Sequence, residues 1–185
     1  MWLCSESLSG VLLTLLLVGC YQPPPFDLLD EVPIAPNNRC AEAREVRVAC
    51  VLDGDTFDVG SCGEGGERIR LLGIDAPEIA HPPHMAECWG PEAQSELRLL
   101  IEGRRLVLTF DHDCTGVFGR TLAYVWRPGV DGMSLVNEEL LAGGFADLYD
   151  EVGDPLLRAR ELHSAKDLAE SRGLGLWGAC SPSSE

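Results

Sequence analysis

Residues 51–78 read VLDGDTFDVGSCGEGGERIRLLGIDAPE, and the fold turns on how this stretch is parsed. Asp53-Gly54-Asp55-Thr56 has the chemistry of a tight turn between two apolar runs: Asp tolerates turn geometry, Gly supplies conformational freedom, and β-branched or apolar residues flank both sides. A hairpin here leaves Asp55 at the start of a strand. The run Arg68 to Ile74 is again strand-like and ends at Asp75-Ala76-Pro77-Glu78, where Pro77 lacks a ladder donor and biases Ala76 to an extended conformation. Paired as a meander, these strands bring Asp55, Arg70, Asp75 and Glu78 together.

The pattern continues outward. Glu45 to Leu52 is the first predicted strand, Thr56 to Val59 the second and Arg68 to Ile74 the third, with a Gly-rich connection over residues 60–66. Pro91, with Glu92 beside it, suits a first helical turn, and Ala93, Leu97, Leu100 and Ile101 follow at helical spacing before Gly103. Arg105 to Phe110 and Arg120 to Trp126 are predicted as strands four and five. Ser134 reads as the cap of a short helix ending at Gly143-Gly144, and a longer helix is expected from Pro155 to Arg172. Five strands interrupted by one helix and followed by two more imply an α+β, mainly β fold: a five-stranded Greek-key barrel of the OB type with three helices. No internal repeat or second domain is visible.

With 185 residues and 45% hydrophobic composition, the chain suits one domain plus an appendage and is not a disordered polymer. In residues 1–19 the apolar run Val11 to Val18 is too short to span a bilayer and suits a signal peptide. Leu17-Val18-Gly19-Cys20 resembles a bacterial lipobox, implying cleavage before Cys20, lipidation of its thiol and an exported protein held at a membrane. The basic start expected of such a segment is missing, and Glu6 is its only charged side chain. An ordinary cleaved signal, giving a secreted protein, is the alternative. Residues 20–39 carry Pro23, Pro24, Pro25, Pro33 and Pro36 and read as an extended tether. Residues 40–180 form the domain and 181–185 a tail.

Setting aside Cys4 and Cys20 leaves Cys40, Cys50, Cys62, Cys88, Cys114 and Cys180, an even number that in an exported chain points to disulfides. There is no CxxC pair, which argues against a zinc ribbon. Six cysteines allow 15 connectivities. Cys50 and Cys62 flank the proposed hairpin and suit a bridge across it, and the expected remainder is Cys40 with Cys180, tying the ends, and Cys88 with Cys114.

DGDT at 53–56, RLLGIDAPE at 70–78, WGPEA at 89–93, FGRTLAYV at 118–125, LVNEELLAGGFA at 135–146 and GLW at 175–177 occur in an order that resembles the staphylococcal nuclease homologues, the thermonuclease family. The resemblance covers about Glu45 to Trp177. It implies an OB-type barrel with helices and calcium-dependent hydrolysis of phosphodiester bonds in DNA and RNA.

A phosphodiester attacked by water gains negative charge, so its site needs a cation, donors at the equatorial oxygens and a group that orients or deprotonates the water. Asp55 and Asp75 are hard oxygen donors suited to Ca2+, and the carbonyl of Ala76 is a third. The family's metal positions map onto these residues. By the same matching Glu78 takes the place of the general base or water-orienting carboxylate, and Arg70 and Arg120 those of the phosphate-holding arginines, a task for which a planar, permanently charged guanidinium is suited. Arg68 shares the strand face of Arg70 by period, and the five-residue step to Asp75 favours Arg70. Asp53 reads as a turn former, Asn137 as a structural hydrogen-bonding residue, and His81 and His84 as parts of a solvated, proline-rich loop.

Two departures bear on substrate. Val117-Phe118 stands where family members often have a basic residue followed by tyrosine, losing an ammonium and a hydroxyl. Of the family's nucleotide-stacking tyrosines only Tyr149 is a candidate match. The net charge of −16 is the main contrary feature; removing residues 1–19 deletes only Glu6, giving −15, and Lys166 is the only lysine. Nucleic-acid binders usually present a basic footprint. An acidic, catalytically silent module that binds an envelope component is therefore the rival reading, against which the intact set Asp55, Arg70, Asp75, Glu78 and Arg120 weighs. The expected partners are nucleic acid and, through Cys20, a membrane; no obligate protein partner is evident.

Overall fold

The computed structural model describes residues 27–33, 39–149 and 156–180. The expected signal segment, Cys20 and the tail 181–185 lie outside the described residues. The strands are β1 (Arg44–Val51), β2 (Thr56–Val59), β3 (Glu67–Leu71), β4 (Ile74–Asp75), β5 (Arg105–Thr109), β6 (Thr121–Pro128), β7 (Met133–Leu135) and β8 (Asp147–Leu148). The helices are α1 (Gly90–Ile101), α2 (Val136–Ala142), α3 (Ala159–Ser171) and a single turn, α4 (Leu176–Ala179).

The barrel closes through one long strand that changes partners. The first half of β1 pairs antiparallel with β5, Arg44 opposite Leu108, and its second half with β2, Val51 opposite Phe57. A register shift between Val48 and Cys50 separates the halves; an extra residue there bends the strand and lets it serve both sides. Next, β2 pairs with β3, Thr56 opposite Arg70, and β3 runs parallel to β6, Ile69 opposite Thr121. Antiparallel pairing of β6 with β5, Val107 opposite Trp126, completes the ring β1-β2-β3-β6-β5. This is the expected five-stranded barrel, with three main helices outside it. Phe57, Ile69, Leu71, Leu106, Leu108 and Val125 are buried in its core, each apolar side chain contributing about 1.5–3 kcal/mol of transfer free energy.

Helix α1 buries Ala93, Leu97 and Ile101, a four-residue repeat that forms one face. The third strand stops earlier than its apolar run suggests: Gly73 has φ 78°, so the chain turns, and Ile74 and Asp75 pair instead with Leu148 and Asp147 of β8. Ser134 is not a helix cap. It lies in β7 opposite Arg127, and α2 begins at Val136 without a side-chain cap. What fixes α2 is packing of Val136, Leu140 and Leu141 together with Asn137, whose Oδ1 accepts the Val125 N–H at 2.9 Å and whose Nδ2 donates to the Leu72 carbonyl at 2.9 Å. The last long helix starts at Ala159, and part of its expected first turn, residues 150–155, lies outside the described residues.

The N-terminal segment also differs from the expected tether. Residues 28–31 form a 3-10 turn capped by Asp27, whose carboxylate accepts the Leu29 N–H at 3.0 Å, and Leu28 and Val32 are buried among the core residues. Arg158 Nη2 donates to the Pro33 carbonyl at 2.8 Å. Of the expected disulfides, Cys50–Cys62 is present, while the other four cysteines pair as Cys40–Cys114 and Cys88–Cys180. The physical reason is the β1–β5 register. Extended beyond Arg44 and Leu108, it carries Cys40 alongside the segment after β5, where its N–H donates to the Asp111 carbonyl at 2.7 Å. The turn α4, ending beside Cys180, then meets the loop that carries Cys88 into α1.

Candidate active site

Close backbone packing sets the site's position. A Cβ built on Gly54 would lie 2.5 Å from Ala76 Cβ and 2.8 Å from Ala93 Cβ, so only glycine lets the β1–β2 turn rest on the Asp75–Glu78 loop and on α1. The turn is closed by Leu52 N–H donating to the Thr56 carbonyl at 2.9 Å, and by Asp53 Oδ1 accepting the Asp55 N–H at 3.1 Å. Asp53 is thus the turn former expected of it. The turn directs Asp55 inward, where the residue is 6% exposed. Its Oδ2 accepts the Ala76 N–H at 2.8 Å and pairs with Arg70, while its Oδ1 accepts the Thr56 hydroxyl at 2.9 Å.

Arg70 stands between two carboxylates. Besides Asp55, its Nη2 meets Asp75 Oδ1 at 2.6 Å, and its guanidinium carbon lies 6.0 Å from the centroid of the Tyr149 ring. Burial pushes the Arg70 pKa down; the Asp75 and Asp53 charges oppose this, and the nearby positive charge of Arg120 adds to it. Tyr149 is placed by its N–H, which donates to the Gly73 carbonyl at 3.1 Å. Arg68, the alternative on the same strand, points to Asp58 instead, with Nε 3.0 Å from Oδ1. Of the two arginines it is Arg70 that the fold turns toward Asp55 and Asp75.

Arg120 enters at the start of β6, beside β3. Its Nε is buried and finds no hydrogen-bond partner among the described residues. Glu78 is exposed; its N–H donates to Glu87 Oε2 at 3.0 Å and its carbonyl accepts the Glu87 N–H at 2.9 Å. Partial desolvation, then the negative charges of Asp53 and Glu87, raise the Glu78 pKa. Asp53 is raised too, because burial outweighs the attraction of Arg70 and Arg120. Asp55, Arg70, Asp75 and Ala76 are thus linked directly, Tyr149 covers Arg70, and Glu78 and Arg120 lie within electrostatic reach of the group.

Sequence reading assigned no site role to four contributors. Asp53 is an ionisable member of the site as well as a turn former. Glu87 brackets the backbone of Glu78, a contact between residues nine apart in a loop without periodicity. His81 and Phe118 line, with Leu52, Asp53, Thr56, Gly66, Arg68 and Arg120, a cleft on the Arg120 side of the site. The signal for Phe118 was its replacement of tyrosine before Gly119-Arg120.

The donor set suits a hard cation. Asp55 and Asp75 both reach one guanidinium, so their oxygens already converge on a positive group, and Asp75 keeps 58% of its side chain exposed. Two carboxylates and a carbonyl leave most positions of an oxygen-coordinated ion to water. Elsewhere among the described residues, the gathering of three potential ligands is Cys50, Asp58 and Cys62, where the two sulfurs are bonded to each other.

Comparison with known proteins agrees with this architecture. The chain is 34% identical over 96 residues to the thermonuclease of Staphylococcus intermedius, covering 52% of this chain and 54% of that protein. It is 32% identical over 106 residues to the thermonuclease of Staphylococcus hyicus, covering 57% and 60%. With the endonuclease YncB of Bacillus subtilis it shares 38% identity over 96 residues, 51% of this chain and 43% of that one. The chain thus spans little more than half the length of these thermonucleases. The family described as staphylococcal nuclease homologue matches residues 68–179, a range that includes Arg70, Asp75, Ala76, Glu78 and Arg120 and begins after the Asp53–Thr56 turn, and the chain belongs to that family.

Proposed function

We propose that this protein is a calcium-dependent nuclease that hydrolyses phosphodiester bonds of DNA, RNA or both. The observation that carries the reading is a cluster of opposite charges: two carboxylates that converge on Arg70 and, near enough for its charge to act on Arg70, a second arginine, Arg120, whose buried Nε lacks a partner among the described residues. A buried guanidinium N–H left unpaired is costly, and a phosphate oxygen satisfies it.

Asp55, Asp75 and the Ala76 carbonyl are the groups that would hold Ca2+, which supplies positive charge against a phosphate oxygen. Ala76 N–H and Thr56 fix Asp55 in one orientation, so its carboxylate needs no reorganisation. Arg70 exchanges carboxylate oxygens for phosphate oxygens when substrate enters, and Arg120 donates from the other side; both contacts strengthen as charge builds toward the pentavalent transition state. Glu78 accepts a proton from the attacking water, and desolvation together with the charges of Asp53 and Glu87, which raise its pKa, makes it a stronger base than an ordinary carboxylate. The products are a phosphate monoester and a hydroxyl end.

We propose further that the protein is exported and anchored through a lipid on Cys20. The lipobox-like end of the apolar segment supports this, as do three disulfides, which persist in oxidising compartments. A net charge of −16 favours a second reading, a silent module that binds an envelope component. One experiment separates the two. Residues 21–185 are incubated with single-stranded DNA and RNA in calcium or excess chelator, beside Glu78→Gln, Arg70→Ala and Arg120→Ala. Cleavage that needs calcium and falls by roughly 100-fold or more in the variants is expected. A folded, calcium-binding protein that cleaves neither polymer fits the silent module.

A further inference from the structure

The side of the cleft next to Arg120 carries two rings that the mechanism above does not use. Phe118 is 94% exposed and adopts φ 63°, a left-handed conformation uncommon for a bulky residue. Exposure of a single phenylalanine is ordinary; its placement is not, because it lines the same cleft as Arg120, Asp53 and Thr56. His81 lines that cleft from the loop after Glu78, and is close enough for its charge to act on Glu78. The His81 carbonyl accepts the His84 N–H at 2.8 Å, closing a turn that fixes the backbone of this loop.

We propose that Phe118 and His81 form a base-stacking platform that holds the nucleobase adjoining the scissile phosphate, an inference that rests on the nuclease reading of the same cleft. Phenylalanine has no hydroxyl with which to grip a phosphate, so its only strong contact with a nucleotide is through its face. Such stacking tolerates any base, because every base has a π-face. It also suits an acidic protein: affinity gained from stacking does not depend on a basic footprint and is less sensitive to salt. On the other side of the site Tyr149 already lies against Arg70, so the Phe118 side is the one with rings free to receive a base. The predicted substrate is single-stranded or locally unpaired, since a base within a duplex offers no free face.

The test measures binding, separately from turnover. Fluorescence anisotropy of a short labelled single-stranded DNA is recorded in calcium with Glu78→Gln protein, alone and combined with Phe118→Ala, His81→Ala or Phe118→Tyr. A second DNA of equal length lacks its bases but keeps the sugar-phosphate backbone. Phe118→Ala is expected to weaken binding roughly 10-fold on the normal strand, Phe118→Tyr to retain it, His81→Ala to lose a smaller factor, and all to bind the base-less strand alike. Binding within two-fold of the parent for Phe118→Ala, or an equal loss on both strands, overturns the platform. Should the protein with Glu78 intact cleave DNA while Phe118→Ala binds normally, the nuclease reading stands and the platform falls; no binding and no cleavage by the parent overturns both.

Discussion

Replacing Asn137 by Leu is the substitution whose cost follows most directly from the structure. Asn137 is fully buried, and its amide serves backbone groups of two segments that α2 packs on: the Val125 N–H in β6 and the Leu72 carbonyl just after β3, each at 2.9 Å. Leu has the same branched four-atom skeleton with bulkier ends, so no cavity opens; the main loss is two backbone partners, besides a longer contact with the Ala123 carbonyl at 3.4 Å. A buried backbone group left unpaired costs about 1–3 kcal/mol. Leu72 is half-buried, so water recovers part of its share, and about 3 kcal/mol is expected for the pair. At roughly 2–4 °C per kcal/mol for a domain of this size, the melting temperature falls by about 6–12 °C. Urea unfolding is the assay, because a midpoint shift at unchanged slope reports stability alone. Asn137→Asp supplies the control: it keeps an acceptor for Val125 but faces the Leu72 carbonyl with a second oxygen, so it is expected to be at least as destabilising. A loss below about 1 kcal/mol for Asn137→Leu would refute the idea that this amide joins the helix to the barrel.

Two further outcomes follow from contacts away from the reacting groups. Burial works against the charge on Asp58, but hydrogen bonds from Arg68 and the Gly63 N–H outweigh it and hold the carboxyl below its ordinary value; this contribution is present above the unfolded pKa, about 3.9, and is lost as pH falls through the lower folded one. Asp58→Asn should therefore cost about 1–3 kcal/mol at pH 7 and show a flatter decline of stability below about pH 4 than the parent in acid titrations followed by circular dichroism. Gly54→Ala places a Cβ 2.5 Å from Ala76 Cβ, forcing the turn off the loop at a cost of about 1–3 kcal/mol. Because Ala76 also holds Asp55, calcium affinity measured by calorimetry should weaken in that variant, and an unchanged affinity would contradict the packing.

The parts of this fold legible in the sequence were those encoded locally. Asp53-Gly54-Asp55 announced a turn through residues that no strand interior favours, whereas the run from Arg68, expected to continue through Ile74 toward Pro77, was broken earlier by the turn at Gly73. Ala93, Leu97 and Ile101 repeat at the helical period, so α1 was placed to within a residue. Ser134 misled because serine before an apolar run has two uses, and the choice between cap and strand was made by its hairpin partner Arg127 on the neighbouring strand β6. The disulfides illustrate the same limit. Cys50 and Cys62 lie 12 residues apart across a hairpin, whereas Cys40–Cys114 and Cys88–Cys180 span 74 and 92 residues and depend on barrel register. Glu87 reaches Glu78, and His81 the cleft, only through the course of a loop, which no periodicity describes.

The docked N-terminal segment changes what a lipid on Cys20 would mean. A tether running freely to residue 39 would let the barrel range widely; with Leu28 and Val32 buried in the fold, only residues 21–26 separate the anchor from the described segment that begins at Asp27. At no more than about 3.5 Å per residue, that leash is roughly 20 Å, shorter than the diameter of a small domain. Such a protein cannot forage away from the bilayer. With such an anchor, a polymer substrate would have to come to the bilayer to be cut.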